Sequence, residues 1–274
     1  MQIVPTTSRF LPNLDRISVL SATILLAYTL TGLVSIPSRQ YSTQLPGFYL
    51  EIQIDIQTIV SLLVTALAVS GTDWLLREHP LYHNQRLTQH WLVPALTALV
   101  IGIPLYQGAL GLYWWLGILL GGSTLILVLV AEYIVIDPDD ARYPLAAVGL
   151  NAIAYALFFL LAITLRAAQL RLFLLVPGLT LGIALISTRT LNLRLKDQNV
   201  LPEVGVCATI MAQITIAAHY LPLSPVAFGL FLLGPAYGIN SFLGNLGKGE
   251  SGRRALAEPI FVWIMLWGLA WWYR

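Results

Sequence analysis

Long apolar segments separated by short polar ones dominate the chain. The hydrocarbon core of a bilayer is about 30 Å thick, so a helix needs about 20 apolar residues to cross it. The pattern predicts an all-α integral membrane protein, a polytopic helical bundle that forms one membrane domain over residues 1–274 after a short leader at 1–16. About nine spans are predicted, at residues 17–36, 55–75, 91–106, 111–134, 144–165, 169–189, 203–220, 223–243 and 256–273. In the 91–134 region, a re-entrant segment is the alternative to two spans.

A different pattern precedes the second predicted span. In LEIQIDIQ, residues 50–57, apolar and polar residues alternate. A helix would scatter the polar residues around its axis, whereas a strand places them all on one face. The Pro-Gly pair at 46–47 supplies a turn to a partner strand upstream. We therefore expect a short extracytoplasmic hairpin at 38–55 that packs on the bundle, because a two-stranded hairpin is marginally stable alone.

Composition strengthens the membrane interpretation. Hydrophobic residues make up 57% of the chain, charged residues make up 10%, and the mean hydropathy is +0.76. Soluble domains carry about 25% charged residues. A net charge of +2 is too small to indicate a nucleic-acid partner, so the lipid bilayer is the expected surrounding. The single cysteine, Cys207, lies in an apolar run and is expected to be a small buried residue.

The distribution of basic residues predicts the orientation. With nine spans, 11 of the 15 basic residues fall on one side, and the positive-inside bias makes that side cytoplasmic. The N-terminus is then cytoplasmic and the C-terminus extracytoplasmic, in a bacterial-type cytoplasmic membrane. The first apolar run is too long for a cleaved signal, so we expect it to stay as an anchor. The 11 residues are Arg9, Arg16, Arg77, Arg86, Arg142, Arg189, Arg194, Lys196, Lys248, Arg253 and Arg254.

Four neutral polar residues within the predicted spans are candidate ligand-binding groups. Asn151 and Tyr155 are four residues apart and share a helix face, while Gln213 and Asn240 lie in later spans. These side chains either form interhelical hydrogen bonds, as polar groups in membrane bundles do, or line a cavity for a lipophilic small molecule. The sequence leaves both interpretations open.

The segment EYIVIDPDDAR carries the densest group of acids. Asp137, Asp139 and Asp140 are candidate catalytic residues at the cytoplasmic face, and Glu132 with Asp137 is a candidate Mg²⁺ site, since Mg²⁺ is held by carboxylates and phosphate. The alternative is ordinary turn chemistry, in which Asp and Pro end one helix and an Asp caps the next. The sequence favours the capping turn.

A pair of histidines in REHPLYHNQRLTQH is a candidate metal site. His79 and His83 are four residues apart, which suits two zinc ligands on one helix face. Pro80 follows His79 directly and disfavours the helix that would align them. A polar interfacial loop is therefore the favoured interpretation of this segment.

The segment GNLGKGESGRRALAE is glycine-rich and basic. Lys248, Arg253 and Arg254 are candidate contacts for an anionic headgroup, because glycines before a helix start can present backbone N–H groups to phosphate. The segment does not match the nucleotide-binding pattern G-x-x-x-x-G-K-[ST]. A flexible cytosolic linker is the other interpretation, and the sequence names no cofactor.

Three function classes follow. The favoured one is a protein that binds or processes a lipid or other lipophilic molecule with polar chemistry at the cytoplasmic face, and whether it is an enzyme is left open. The second is a non-catalytic subunit or assembly factor that contacts other membrane subunits. The third is a transporter, which is disfavoured because buried ionisable groups are scarce. Asp73, the nearest proton carrier, is expected to pair with Arg77 four residues on.

Overall fold

A computed structural model describes residues 12–33, 39–45, 48–54, 56–81, 87–107, 111–195 and 199–274. These residues form α-helices, one short 3-10 helix at Leu87–His90 and one pair of strands. The helices are α1 Leu14–Leu33, α2 Ile56–Leu76, α3 Leu92–Gln107, α4 Leu112–Ile134, α5 Tyr143–Ala167, α6 Leu172–Arg194, α7 Leu201–His219, α8 Pro225–Gly247 and α9 Gly252–Trp272.

Seven of these helices are long and apolar enough to cross a membrane, so the chain is a multi-pass membrane protein. They are α2 and every helix from α4 to α9. The predicted first and third spans correspond to α1 and α3. The first turn of α1 contains Asp15, and the apolar stretch of α3, Leu92–Ile103, is shorter than a full span. Membrane crossing by α1 and α3 therefore stays a prediction.

The two strands lie within the 38–55 region where alternation predicts a hairpin. Strand β1, Arg39–Leu45, pairs antiparallel with β2, Phe48–Ile54. Leu45 pairs with Phe48 at one end and Arg39 pairs with Ile54 at the other. The pairing describes the backbone of the two strands. That the strands lie on the extracytoplasmic side stays a prediction.

The chain divides into two compact units. Unit 1 comprises Met1–Gln85 and Pro94–Tyr143, and unit 2 comprises Arg86–Val93 and Pro144–Arg274. In unit 1, α1 packs on both α2 and α4. A Cβ added at Gly121 of α4 would lie 2.5 Å from Cγ2 of Ile101 on α3, so the glycine allows α3 and α4 to approach closely at this point. The prediction of a single membrane domain is not tested by this division.

Unit 2 is built around α8. Of the apolar stretch of α8, 56% is buried, compared with 17% for α9, which packs mainly on α8. Ser224 caps α8 by accepting a hydrogen bond from the Ala227 N–H at 3.2 Å. Trp263 of α9 lies against Gly234 of α8, where a Cβ would approach its ring to 3.2 Å.

Prolines inside α8 and α9 shape the contact between these helices. Pro235 has no N–H, so the carbonyl of Phe231, four residues earlier, has no partner within α8. The indole Nε1 of Trp267 on α9 donates to that carbonyl at 3.0 Å, and the two rings stack with centroids 4.7 Å apart. Lipid offers no donor that could replace this bond. A side chain of α9 therefore satisfies a backbone carbonyl of α8.

Candidate functional site

His79 of unit 1 lies just after α2, in a buried position. Its side chain is 2% exposed, and its ring packs edge-on against Tyr133 with centroids 4.8 Å apart. The Leu81 N–H donates to Nδ1 of His79 at 3.2 Å. Burial lowers the pKa of the His79 imidazole, and the carboxylates of Asp137 and Asp140 oppose this shift. One of the two ring nitrogens of His79 is therefore already engaged by the backbone.

The metal candidates of the sequence do not come together in the described part of the chain. Helix α2 ends at Leu76, before His79, and His83 lies outside the described residues. Glu132 is fully buried and interacts with neighbouring groups. Within the described ranges, no three His, Cys, Asp or Glu side chains form a group that could hold a metal ion. The predicted sites that include Glu132, Asp137, His79 and His83 thus gain no geometric support here.

The acidic segment before α5 has the geometry of two Asx turns, in which an Asp side chain accepts from the N–H two residues on. Asp137 accepts a hydrogen bond from the Asp139 N–H at 3.0 Å, and Asp140 accepts one from the Arg142 N–H at 2.8 Å. Asp140 also forms an ion pair with Arg142, with Nη2 and Oδ2 2.6 Å apart. The hydrogen bond to Asp140 raises the pKa of the Arg142 guanidinium. Two of the three candidate catalytic carboxylates therefore already bind local donors, while Asp139 is exposed.

At the same end of unit 1, ion pairs join α1 to the end of α2. Arg16 pairs with Glu78 at 2.6 Å, donates to the Trp74 carbonyl at 2.7 Å and lies over the Trp74 ring. Asp73 pairs with Arg77 at 2.7 Å, so the predicted ion pair is confirmed. This pairing gives Asp73 a helix-end role.

A polar cluster in unit 2 combines residues from α5, α6 and α8. The ring of Tyr155 packs edge-on against Tyr237, with centroids 5.4 Å apart. Arg194, at the end of α6, donates to the Ser241 hydroxyl at 3.2 Å. The hydroxyl of Tyr237 donates to the carboxylate of Glu258 on α9. Three helices thus direct polar groups to one region, and α9 borders it.

Three buried polar atoms of this region form no well-aligned hydrogen bond with another described residue. They are the Tyr155 hydroxyl, the Thr190 hydroxyl and the amide oxygen of Asn240. The Thr190 hydroxyl lies beside the Tyr155 hydroxyl as a weak hydrogen-bond neighbour, and the charge of Arg194 also acts on it. The amide nitrogen of Asn240 donates to the Ala236 carbonyl at 3.0 Å, so only its oxygen is unsatisfied. We name Tyr155, Thr190, Arg194, Tyr237, Asn240 and Ser241 the interior polar cluster.

The other two predicted ligand-binding residues lie elsewhere. Asn151 is one turn before Tyr155 on α5 and is half-buried, whereas Gln213 is exposed on α7. The predicted set of four is therefore divided, and only Tyr155 and Asn240 belong to the interior polar cluster. Hydropathy does not specify which way a polar residue faces once its helix packs.

A family comparison covers most of the chain. The family model matched by residues 36–273 is DUF5656, described as a protein of unknown function. The chain belongs to the DUF5656 family. No significant match occurs among curated proteins or among solved structures. The family match includes all seven candidate spans of the DUF5656 chain, so the membrane architecture is a property of the matched region.

Two arginines of the DUF5656 chain lie differently from the sequence prediction. Arg189 and Arg194 are predicted as cytoplasmic loop charges, but both lie within α6. Arg189 is 2% exposed, and its Nη2 lies 3.3 Å from Nδ1 of His90, which is equally buried. The prediction from apolar run length ends α6 too early, because the apolar run stops at the first cation, Arg189. The clue to a longer helix is the polar but helix-compatible run STRTLNLR.

The basic candidates for a headgroup lie at the turn between α8 and α9. Lys248, Arg253 and Arg254 are all exposed, and none of the three forms an ion pair with another described residue. Gly249 within this turn has a φ of 81°, a conformation that favours glycine. The segment is a tight helix–helix turn whose cations point outward, which is compatible with contact to headgroups.

Proposed function

We propose that this DUF5656 protein binds, or acts on, a lipophilic molecule whose polar group reaches the interior polar cluster of unit 2. The observation that supports this is a pair of buried atoms, on Tyr155 and Asn240, that form no well-aligned hydrogen bond with another described residue. A buried polar group without a partner costs about 1–3 kcal/mol. In hydrocarbon, neither lipid tails nor bulk water can provide that partner.

The two atoms define the polar chemistry of the proposed ligand. The Tyr155 hydroxyl can donate a hydrogen bond, which suits a carbonyl or ether oxygen. The amide oxygen of Asn240 accepts only, which suits a hydroxyl or N–H group. Arg194 is partly buried at the same end of the bundle and adds positive charge. A lipid, quinone-like or pigment-like molecule carrying both kinds of group fits this arrangement.

The proposed orientation follows the charge bias. We propose nine spans with the N-terminus in the cytoplasm, the C-terminus outside and the β1–β2 hairpin on the extracytoplasmic side. Arg194, Glu258 and the turn with Lys248, Arg253 and Arg254 then lie towards the cytoplasm. In this orientation the turn before α5, with Asp137 and Asp139, also lies towards the cytoplasm.

The test is mass spectrometry of lipophilic molecules extracted from protein purified in mild detergent. We expect a stoichiometric compound with wild-type protein and at least about a tenfold lower amount with Tyr155→Phe or Asn240→Ala, because about 1.4 kcal/mol corresponds to a factor of ten. Tyr113→Phe is the matched control, since Tyr113 is 88% exposed on α4. Equal retention in all four proteins would reject the interior polar cluster as the binding site.

A non-catalytic subunit is the second candidate, and one observation favours it. Gln213 is exposed on a membrane-spanning helix and has no hydrogen-bond partner among the described residues. Gly205 and Thr209 precede it at four-residue intervals on the same face, and no atom lies near the Gly205 position. Small and polar residues with this spacing mediate helix contacts in membranes. A stoichiometric protein in the same purification, without a bound compound, would favour this candidate.

A further inference from the structure

A cavity of about 370 Å³ lies at the end of unit 2 opposite the interior polar cluster. It is formed where α5 ends, where α7 ends and where α8 begins. Tyr237 is 12 residues along α8 from Pro225 at the cavity, which corresponds to about 18 Å of helix. The polar part of the lining consists of Arg166, Gln169 and His219, and the apolar part includes Leu170 and Leu223.

Arg166 is held in this cavity by two backbone carbonyls, an imidazole and an aromatic ring. Its Nη1 lies 3.3 Å from the His219 carbonyl oxygen and 3.4 Å from His219 Nδ1, and its Nη2 lies 3.3 Å from the Leu221 carbonyl oxygen. The guanidinium also lies over the Phe228 ring, 5.1 Å from its centre. These contacts orient the guanidinium plane but leave its charge uncompensated. Within the described chain, no Asp or Glu side chain pairs with Arg166.

The Asp and Glu residues of unit 2 that the structure describes are far from this charge. Glu203 is in the first turn of α7, and His219 is its last residue, so about 24 Å of helix separates them. Glu250 and Glu258 lie at the turn between α8 and α9 and at the start of α9, again at the opposite end. The guanidinium of Arg166 therefore carries a positive charge that an anion can balance.

A second, apolar hollow lies at the surface between α6 and α7 and is wide open. Its volume is about 460 Å³, and its lining is Leu172, Phe173, Val176 and Pro177 of α6 with Ile216 of α7. Ile216 is one helical turn before His219, so this groove reaches α7 one turn nearer its middle than the charged cavity does. A cationic cavity and an apolar surface groove one turn apart match the headgroup and the acyl chain of an amphiphile.

We propose that these two cavities form a binding site for an anionic phospholipid. The phosphate lies against Arg166 and Gln169, and one acyl chain follows the groove between α6 and α7. Guanidinium is suited to this role because its fork of N–H donors matches phosphate oxygens, and such charge-assisted bonds are stronger than neutral ones. The site is independent of the interior polar cluster, so either can fail without the other.

The test uses the full chain in nanodiscs made from equal parts of phosphatidylcholine and phosphatidylglycerol. Native mass spectrometry then measures which lipid remains bound to the protein after the protein is released from the nanodisc. We expect phosphatidylglycerol to be enriched on the wild-type protein and Arg166→Gln to reduce that enrichment about tenfold or more, which corresponds to about 1.4 kcal/mol. Arg77→Gln removes the same charge from unit 1, where the Arg77 side chain is 64% exposed, and should retain the enrichment.

Two further measurements test the groove and the headgroup separately. Val176→Trp fills the groove but keeps Arg166, and it should also abolish the enrichment, which guards against a folding defect in the arginine variant. Inorganic phosphate added to the nanodiscs should not displace the lipid. Displacement by phosphate alone, no enrichment on wild type, or an equal loss in Arg77→Gln would each overturn the proposal.

Discussion

Asp140 illustrates how a single residue decides between two interpretations of an acidic segment. A catalytic carboxylate has to be available to substrate, but Asp140 accepts hydrogen bonds from both the backbone and the side chain of Arg142. The relative exposures of the two side chains, 10% and 29%, show that solvent only partly screens the ion pair. Its geometry is that of a residue that stabilises the turn before α5.

Replacing Asp140 tests this role. We expect Asp140→Asn to lower the free energy of unfolding by about 1 kcal/mol, because it weakens the turn before α5 and removes an ion pair. The measurement is thermal unfolding in detergent, monitored by tryptophan fluorescence. Asp139→Asn is the matched control, since Asp139 is exposed and its side chain accepts no hydrogen bond from a described residue. Equal melting temperatures for both variants would contradict the structural role of Asp140.

At the scale of elements, α8 and α9 behave as a pair. Pro235 removes one hydrogen bond from α8, and Trp267 of α9 replaces it from outside. A weaker counterpart exists in the other direction, because Pro259 frees the Ala255 carbonyl of α9 and the Asn245 side chain of α8 lies 3.5 Å from that oxygen. Each helix therefore has one backbone carbonyl without a partner in its own helix, and a side chain of the other helix lies within reach of that carbonyl.

A double-mutant cycle measures this dependence. Trp267→Phe keeps a stacking ring opposite Phe231 but removes the N–H donor, and we expect it to destabilise the protein by about 1–3 kcal/mol. In a Pro235→Ala background the helix can satisfy the Phe231 carbonyl itself, so the same change should cost much less. The readout is chemical unfolding in detergent for all four proteins of the cycle. An identical cost in both backgrounds would show that the indole N–H has no such role.

The elements were largely predictable from sequence, but the clusters were not. Apolar run length gives α2 and the later helices to within several residues, and alternation marks the strands before α2, because both signals are local. The meeting of Tyr155 with Tyr237, or of Arg166 with His219, depends on how helices rotate and pack against each other. Hydropathy along one chain does not contain that rotation. The same limit separates Asn240, which is buried, from Gln213, which is exposed.

At the scale of the whole molecule, connectivity fixes which loops share a side. If each helix from α5 to α9 crosses the membrane, the turn before α5 and the turn between α8 and α9 lie on one side. The turns after α5 and α7 then lie on the other. From the excess of basic residues we propose that the first pair lies in the cytoplasm. The proposed Arg166 site would then face the outer leaflet.

Cysteine accessibility tests this assignment. In a Cys207→Ser background, we expect Asp139→Cys and Lys248→Cys to react with a membrane-impermeant maleimide only after cells are permeabilised. Tyr220→Cys should react in intact cells, since Tyr220 is 75% exposed at the end of α7. The reverse pattern would invert the orientation, and labelling of all three in intact cells would contradict the alternation itself.

The bond between Trp267 and the Phe231 carbonyl also has a consequence for biosynthesis. During translation α8 is made before α9. Until α9 has been made, Pro235 leaves the Phe231 carbonyl of α8 without a hydrogen-bond donor, and lipid cannot supply one. Release of α8 into the bilayer is therefore favoured only together with α9, as a helical hairpin. Pro235 thus couples the membrane insertion of two segments that hydropathy alone would treat as independent.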